Sequence, residues 1–154
     1  FSKEIQYSRY DSQMNSYEFS EEVVTVEPYT MVLDVKSDNT PCVAYYEPIG
    51  GDLLYTCRTG GTWTTPVTVD STGEVGISPA MEFNSSDEAV IAYYDLSNGD
   101  LKVAVESASG TWNVSTVDSA GNVGQNPSIT IDSWDTAYVT YYDATNQTLK
   151  LVEG

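Results

Sequence analysis

Apolar residues in this chain come in short runs that repeat at a fixed step. PCVAYYE at 41–47, AVIAYYD at 89–95 and AYVTYYD at 137–143 are copies of one segment, so Tyr45, Tyr93 and Tyr141 stand 48 residues apart. The same step joins Ile5, Leu53, Leu101 and Leu149, and it carries Val69-Asp70 onto Val117-Asp118, Gly76 onto Gly124 and Pro79 onto Pro127. Within the best-preserved copy the pattern predicts four short strands: A at 81–83, B at 89–94, C at 101–106 and D at 111–117. The B–C connection, Asp95 to Asp100, and the C–D connection, Ser107 to Gly110, are rich in hairpin formers. Strands B and C are apolar on both faces, which suits a strand with a packed neighbour on each side.

Carried backwards, the step places strand C of an earlier copy at 4–9 and its strand D at 19–26; carried forwards, it reaches strand C again at 149–154. The predicted string is therefore C, D, then A–B–C–D twice, then A, B, C. Four antiparallel strands in a unit of this size suit the blade of a β-propeller. The fold expected is all-β: a propeller of four-stranded antiparallel blades, incomplete in one chain. Residues 1–28 supply strands C and D of a split blade, 29–76 and 77–124 form two whole blades, and 125–154 supply strands A to C of the split one.

The run YYD…NGDLK…SGTW and the linking VDSAGNVG resemble sialidase-like, BNR-related propeller repeats over essentially the whole chain. The resemblance implies the blade rather than an activity. Ser107-Ala-Ser-Gly-Thr-Trp112 keeps the ending of that family's Asp-box without its Asp, and Arg58-Thr-Gly-Gly-Thr-Trp63 departs further. A sialidase site also requires an arginine cluster for the substrate carboxylate, and only Arg9 and Arg58 are present. The blades are distantly similar to small fucose-binding propeller lectins, whose sites use a repeated Arg and Glu with a Trp. Here AYYE, AYYD and TYYD supply no repeated Arg, so those roles are not carried over.

Three blades lie below the usual range of about four to eight, so self-closure is disfavoured. Two chains that exchange strands give six blades, exchange without closure gives a filament, and a piece of a longer propeller is the remaining option. Ile5, Tyr7, Phe19, Val24 and Val26 at one end, with Leu149 and Leu151 at the other, are the candidate assembly residues.

Charge and residue chemistry narrow the function. A net charge of −17 without any His argues against nucleic acid and against insertion into or binding of an anionic membrane. No apolar run approaches the roughly 20 residues of a transmembrane helix, and Phe1 in place of Met suggests that an N-terminal segment was removed or lies outside this sequence. If Tyr46 faces Leu53 across the B–C hairpin, Cys42 faces Cys57 where the next copy sets Val90 against Val105. A disulfide there implies an oxidising compartment, hence secretion or the cell surface.

Nothing supplies a nucleophile with an adjacent base, so no catalytic residue is assigned. The repeated acids Glu47, Asp95, Asp143, Asp70 and Asp118 are the residues that could hold calcium, the one cofactor entertained; their place at turn entrances reads better as turn capping. Trp63, Trp112, Trp134 and Arg58 are candidate ligand contacts, with blade packing the plainer role for Trp63 and Trp112. Trp134 has no aromatic counterpart at Ser86 or Asp38. Asn84, Asn113 and Asn146 begin glycosylation sequons. The function expected is a non-catalytic extracellular interaction module that assembles with its own copies by strand complementation. A carbohydrate-binding propeller and a fragment of a glycoside-acting enzyme are the alternatives.

Overall fold

The computed structural model describes residues 5–17, 21–24, 30–107 and 110–154. Every regular element in them is a strand: β1 (Ile5–Tyr7), β2 (Tyr10–Asp11), β3 (Ser16–Tyr17), β4 (Glu21–Val24), β5 (Met31–Val35), β6 (Pro41–Glu47), β7 (Asp52–Thr59), β8 (Thr62–Trp63), β9 (Val67–Asp70), β10 (Val75–Phe83), β11 (Ala89–Asp95), β12 (Asp100–Glu106), β13 (Trp112–Asp118), β14 (Val123–Ile131), β15 (Ala137–Asp143) and β16 (Thr148–Glu153). They form antiparallel sheets in chain order: β1–β4, then β5–β6–β7 with β8 and β9 sharing the far side of β7, then β10–β11–β12–β13, then β14–β15–β16. A separate hairpin, β2–β3, rises from the connection between β1 and β4. Among the described residues no helix is long and apolar enough to cross a membrane.

Register follows the apolar pattern. Tyr46 faces Leu53 and Cys42 faces Cys57, and in the next sheet Tyr94 faces Leu101 and Val90 faces Val105. The cysteines form a disulfide, closing a cross-strand pair that is apolar in the neighbouring copy. Both faces of β6 and β11 are buried because each sheet packs against its neighbours on either side. One core joins Ala44, Leu53 and Tyr55 of the first large sheet to Met81, Ile91 and Tyr93 of the second. A second core joins Ala92 and Leu101 to Val123, Ile129, Val139 and Tyr141. A smaller one sets Ile5 and Val23 against Val43 and Tyr45.

Two features differ from the sequence expectation. The first strand of each later unit begins well before 81–83, at Val75, because the connecting segment itself bonds to the previous sheet. Val75 N–H donates to Gly51 O at 2.9 Å and Val123 N–H to Gly99 O at 2.8 Å. Gly76 and Gly124 sit there at φ +92° and +90°, and a Cβ on either would meet Leu53 or Leu101 closer than 3 Å. Ser78 and Asn126, with positive φ, mark the bulges that follow. The second difference is the β2–β3 hairpin. Tyr10 opposite Tyr17 has no counterpart in the other copies, and nothing in the repeat announces it.

Candidate functional site

The repeat builds one polar clasp twice. Asp70, at the end of β9, accepts hydrogen bonds from Tyr93 Oη at 2.7 Å and from Lys102 Nζ, both on the next sheet, and from Thr72. Lys102 also stands 3.9 Å from Asp95 Oδ2. One unit later, Asp118 accepts from Tyr141 Oη and from Lys150 Nζ, each at 2.8 Å, and Lys150 lies 3.2 Å from Asp143. Burial opposes ionisation of Asp70, yet hydrogen bonds from Lys102, Thr72 and Tyr93 outweigh it and hold its carboxyl at about 2. Lys150 is the main cause that brings Asp118 down to about 2.

At the junction between β1–β4 and the first large sheet the clasp is replaced. Leu54 stands where the next copy has Lys102, and Val24 faces Ile5 where Asp70 faces Leu53 and Asp118 faces Leu101. Tyr45 remains, its buried hydroxyl without a partner among the described residues and pushed up to about 12 by burial. Exchanging a buried ion pair for apolar side chains costs little, and the orphaned hydroxyl is the trace of the exchange. Counting by 48 from Asp70 points to Glu22. The register instead sets Glu22 opposite Gln6, because the hairpin lengthens this copy.

These clasps and the turns absorb most of the repeated acids. Asp95 accepts from Asn98 N–H and Nδ2, Asp143 accepts the same pair from Asn146, and Glu47 accepts from Ile49 and Gly50 N–H. Asp87 and Asp135 reach back to the preceding unit, where each accepts from the backbone N–H and hydroxyl of Ser37 and Ser85. Among the described residues no three acids, cysteines or histidines converge as metal ligands would.

The ionised clasps set an acid limit on stability. Asp70 and Asp118 have folded-state values near 2 against an ordinary 3.8. Their stabilisation is therefore complete above about pH 4 and is lost as pH falls towards 2. Urea midpoints measured between pH 5 and pH 2 should drop through that window, less steeply in Asp118→Asn; a flat profile would contradict the clasp.

Several candidate contacts turn out to be packing. Trp63 meets the Tyr7 ring edge-on at 5.6 Å, and Trp112 meets Tyr55 in the same way at 5.1 Å. Arg58 lies over the Tyr7 ring at 5.6 Å. Ile5 is buried against Val23 and Val43, with Tyr7 packed beside them, so both make contacts within the chain. Phe19 and Val26 lie outside the described residues, and Val24 is placed by its backbone only. Asn84 and Asn146 spend their amides on Glu88 and Asp143, whereas Asn113 is exposed on β13. Trp134 is 83% exposed in the β14–β15 turn.

What the structure brings together, unannounced by the sequence, is a cleft of about 310 Å³ between the last two sheets. Val90, Val103, Val105, Val117, Val139 and Val152 form its body. Asn84, Ser115, Asp135 and Glu153 supply its polar groups. The equivalent space one junction earlier is filled. There Tyr55 stands for Val103, Cys42 and Cys57 for Val90 and Val105, and Trp112 packs on Tyr55. No strand pairs with the far edge of β16 among the described residues. On the outer face of that sheet Leu149 is 83% and Leu151 60% exposed.

No family model matches the chain, and no curated protein does. A crystal structure of a protein of unknown function from Dyadobacter fermentans superimposes with a TM-score of 0.66 at 10% identity, over 93% of this chain. The chain spans 42% of that protein's length. The likeness extends to the fold alone.

Proposed function

We propose that the chain is a non-catalytic, extracellular, propeller-type repeat module whose role is assembly with further copies by strand complementation. The observation that carries this reading is a pair of open faces. Leu149 and Leu151 lie exposed at the C-terminal end, although Leu101 and Leu53, the equivalents of Leu149, are fully buried, and Tyr55, an equivalent of Leu151, is buried too. At the other end Leu33 is 50% exposed, although its equivalents Met81 and Ile129 are buried. Leu149 and Leu151 on one side, and Leu33 beside the β1–β4 pair that covers part of the other, are thus the two sides of an interface that the full sheets already make twice within the chain. A head-to-tail contact between copies would repeat it.

In the assembly the segment at 4–26 of one copy completes the sheet at 123–153 of the next. β4, paired with β1 in the isolated chain, pairs instead along β16, exchanging one strand-C partner for its equivalent. Such an exchange conserves hydrogen bonds and adds burial of Leu149, Leu151, Leu33 and Met31. Closure of two chains gives a ring of ordinary size, and failure to close gives a filament. The disulfide supports the extracellular placement.

Light scattering after size-exclusion chromatography tests the reading. The full chain should elute as a dimer or larger polymer that falls to a monomer when residues 1–26 are removed. A folded monomer in both cases would sink it. A second reading, carbohydrate binding, is favoured by Trp134 alone, an exposed indole in the turn that also bears Asp135 of the cleft. Glycan-array signal abolished by Trp134→Ala would establish it.

A further inference from the structure

The junctions within the chain show what the cleft between the last two sheets lacks. At the first, Tyr7 of strand C meets Trp63 of the next sheet; at the second, Tyr55 meets Trp112. The two tryptophans hold the same register, Trp63 opposite Arg58 and Trp112 opposite Glu106. At the third junction Val103 replaces the tyrosine, and no strand D brings a tryptophan among the described residues. The result is the 310 Å³ space.

The mouths differ as well. In the earlier junction Lys36 lies 3.9 Å from Glu106 and over the Phe83 ring, so a cation closes that end. Asn84 stands in place of Lys36 at the later one, where Asp135 and Glu153 line the opening. Both oxygens of the Asp135 carboxylate already accept from Ser85, leaving Glu153 as the exposed acid at the opening. The missing occupant is therefore an apolar or aromatic group with a positive charge beside it.

One exposed element of this chain has that chemistry. The β2–β3 hairpin presents Tyr10, half-exposed, and Met14 at its tip, 74% exposed. Arg9 precedes Tyr10. Lys36, Arg58, Lys102 and Lys150 are engaged as described above, which leaves Arg9 as the one cation among the described residues without a partner. The hairpin also lies in the right place. It interrupts the connection from strand C to strand D, the end of the sheet at which Val105 and Glu153 stand. The register that sets Glu21 opposite Tyr7 would, on β16, set Glu21 opposite Leu151, two residues from Glu153.

We infer that the cleft between the last two sheets is the seat of the β2–β3 hairpin of a second copy, with Tyr10 entering among the valines and Arg9 meeting Glu153. This rests on the strand-exchange reading and adds to it the side chains that select the partner. The hairpin departs from the repeat because its task is to fill a space between copies rather than within one.

Sedimentation velocity on the full chain and its variants tests the inference. Tyr10→Ala and Val103→Tyr, the second refilling the cleft as Tyr55 does, should each weaken self-association by about tenfold or more. Arg9→Glu should weaken it by about fivefold or more, and adding Glu153→Arg should restore it. Arg9 is exposed, so its variant keeps the wild-type urea midpoint even if Val103→Tyr lowers it, and it is read beside Tyr10→Ala, which also removes the bond from Tyr10 Oη to Asn15 Oδ1 at 2.6 Å within the hairpin. Wild-type association in both Tyr10→Ala and Arg9→Glu, with dissociation still caused by removing residues 1–26, would overturn the hairpin's role and leave strand exchange standing. A wild-type chain that stays monomeric at every concentration would overturn both.

Discussion

Replacing Lys102 with Met should lower the unfolding free energy by about 3–5 kcal/mol, the cost typical of breaking a buried ion pair from one side. Lys102 is buried between two sheets and faces Asp70 and Asp95, which are buried too. Methionine fills much of the volume but leaves two carboxylates facing each other without a cation. The first junction shows how the loss can be compensated, since Val24 and Leu54 occupy the Asp and Lys positions there. Asp70→Val with Lys102→Leu, and Tyr93→Phe to remove the hydroxyl that bonds Asp70, should recover most of the stability lost in Lys102→Met. Urea denaturation of the single and triple variants decides the point. If the triple variant is no more stable than the single, the apolar junction is not an equivalent solution. Lys150→Met should be milder than Lys102→Met, because Lys150 is one-third exposed and water replaces part of what is lost.

Gly124→Ala should be at least as damaging, with a loss above about 4 kcal/mol or failure to fold. The residue lies at φ +90°, and an added Cβ would stand 2.5 Å from Leu101 Cα and 2.7 Å from its backbone nitrogen. Those atoms belong to a neighbouring strand and cannot swing aside as the end of a side chain can. Relief would require the last two sheets to move apart, which would open the core of Leu101, Val123 and Val139. Gly110→Ala is the control: it also has positive φ, but nothing lies within 4 Å of its Cβ position. It should lose only the conformational cost, about 1 kcal/mol. Thermal unfolding of the two variants separates steric contact from backbone preference. Similar losses in both would show that close approach of the sheets is not what holds Gly124.

Much of this architecture was legible in the sequence because strand pairing is governed by local, periodic rules. Alternation of side chains and turn residues at a constant step fixed the B–C registers and set Cys42 opposite Cys57. Tyr45, Tyr93 and Tyr141, Gly76 with Gly124, and Asp70 with Asp118 could all be matched by counting. Lys102 and Lys150 obey the same step, yet their role could not be counted. A clasp between sheets depends on which strands of different units lie side by side, and the step alone does not say that.

Departures from the repeat were the least legible part. The hairpin displaces the fourth strand of the first copy, so that counting finds Glu22 where the register puts Val24. The cleft is a subtraction: Tyr55 becomes Val103, and among the described residues no tryptophan packs there as Trp112 packs on Tyr55. Each change reads in the sequence as one more variable position. By itself, then, the chain's sequence determined its repeated B and C strands, their hairpin registers and the facing of Cys42 and Cys57, since these follow from neighbours along a ladder. Only the tertiary structure decided which repeated polar residues bind sheet to sheet, which tryptophans are spent on packing and where space is left. Those outcomes depend on face-to-face contacts between segments tens of residues apart, where one side chain's volume decides whether a junction is closed or open.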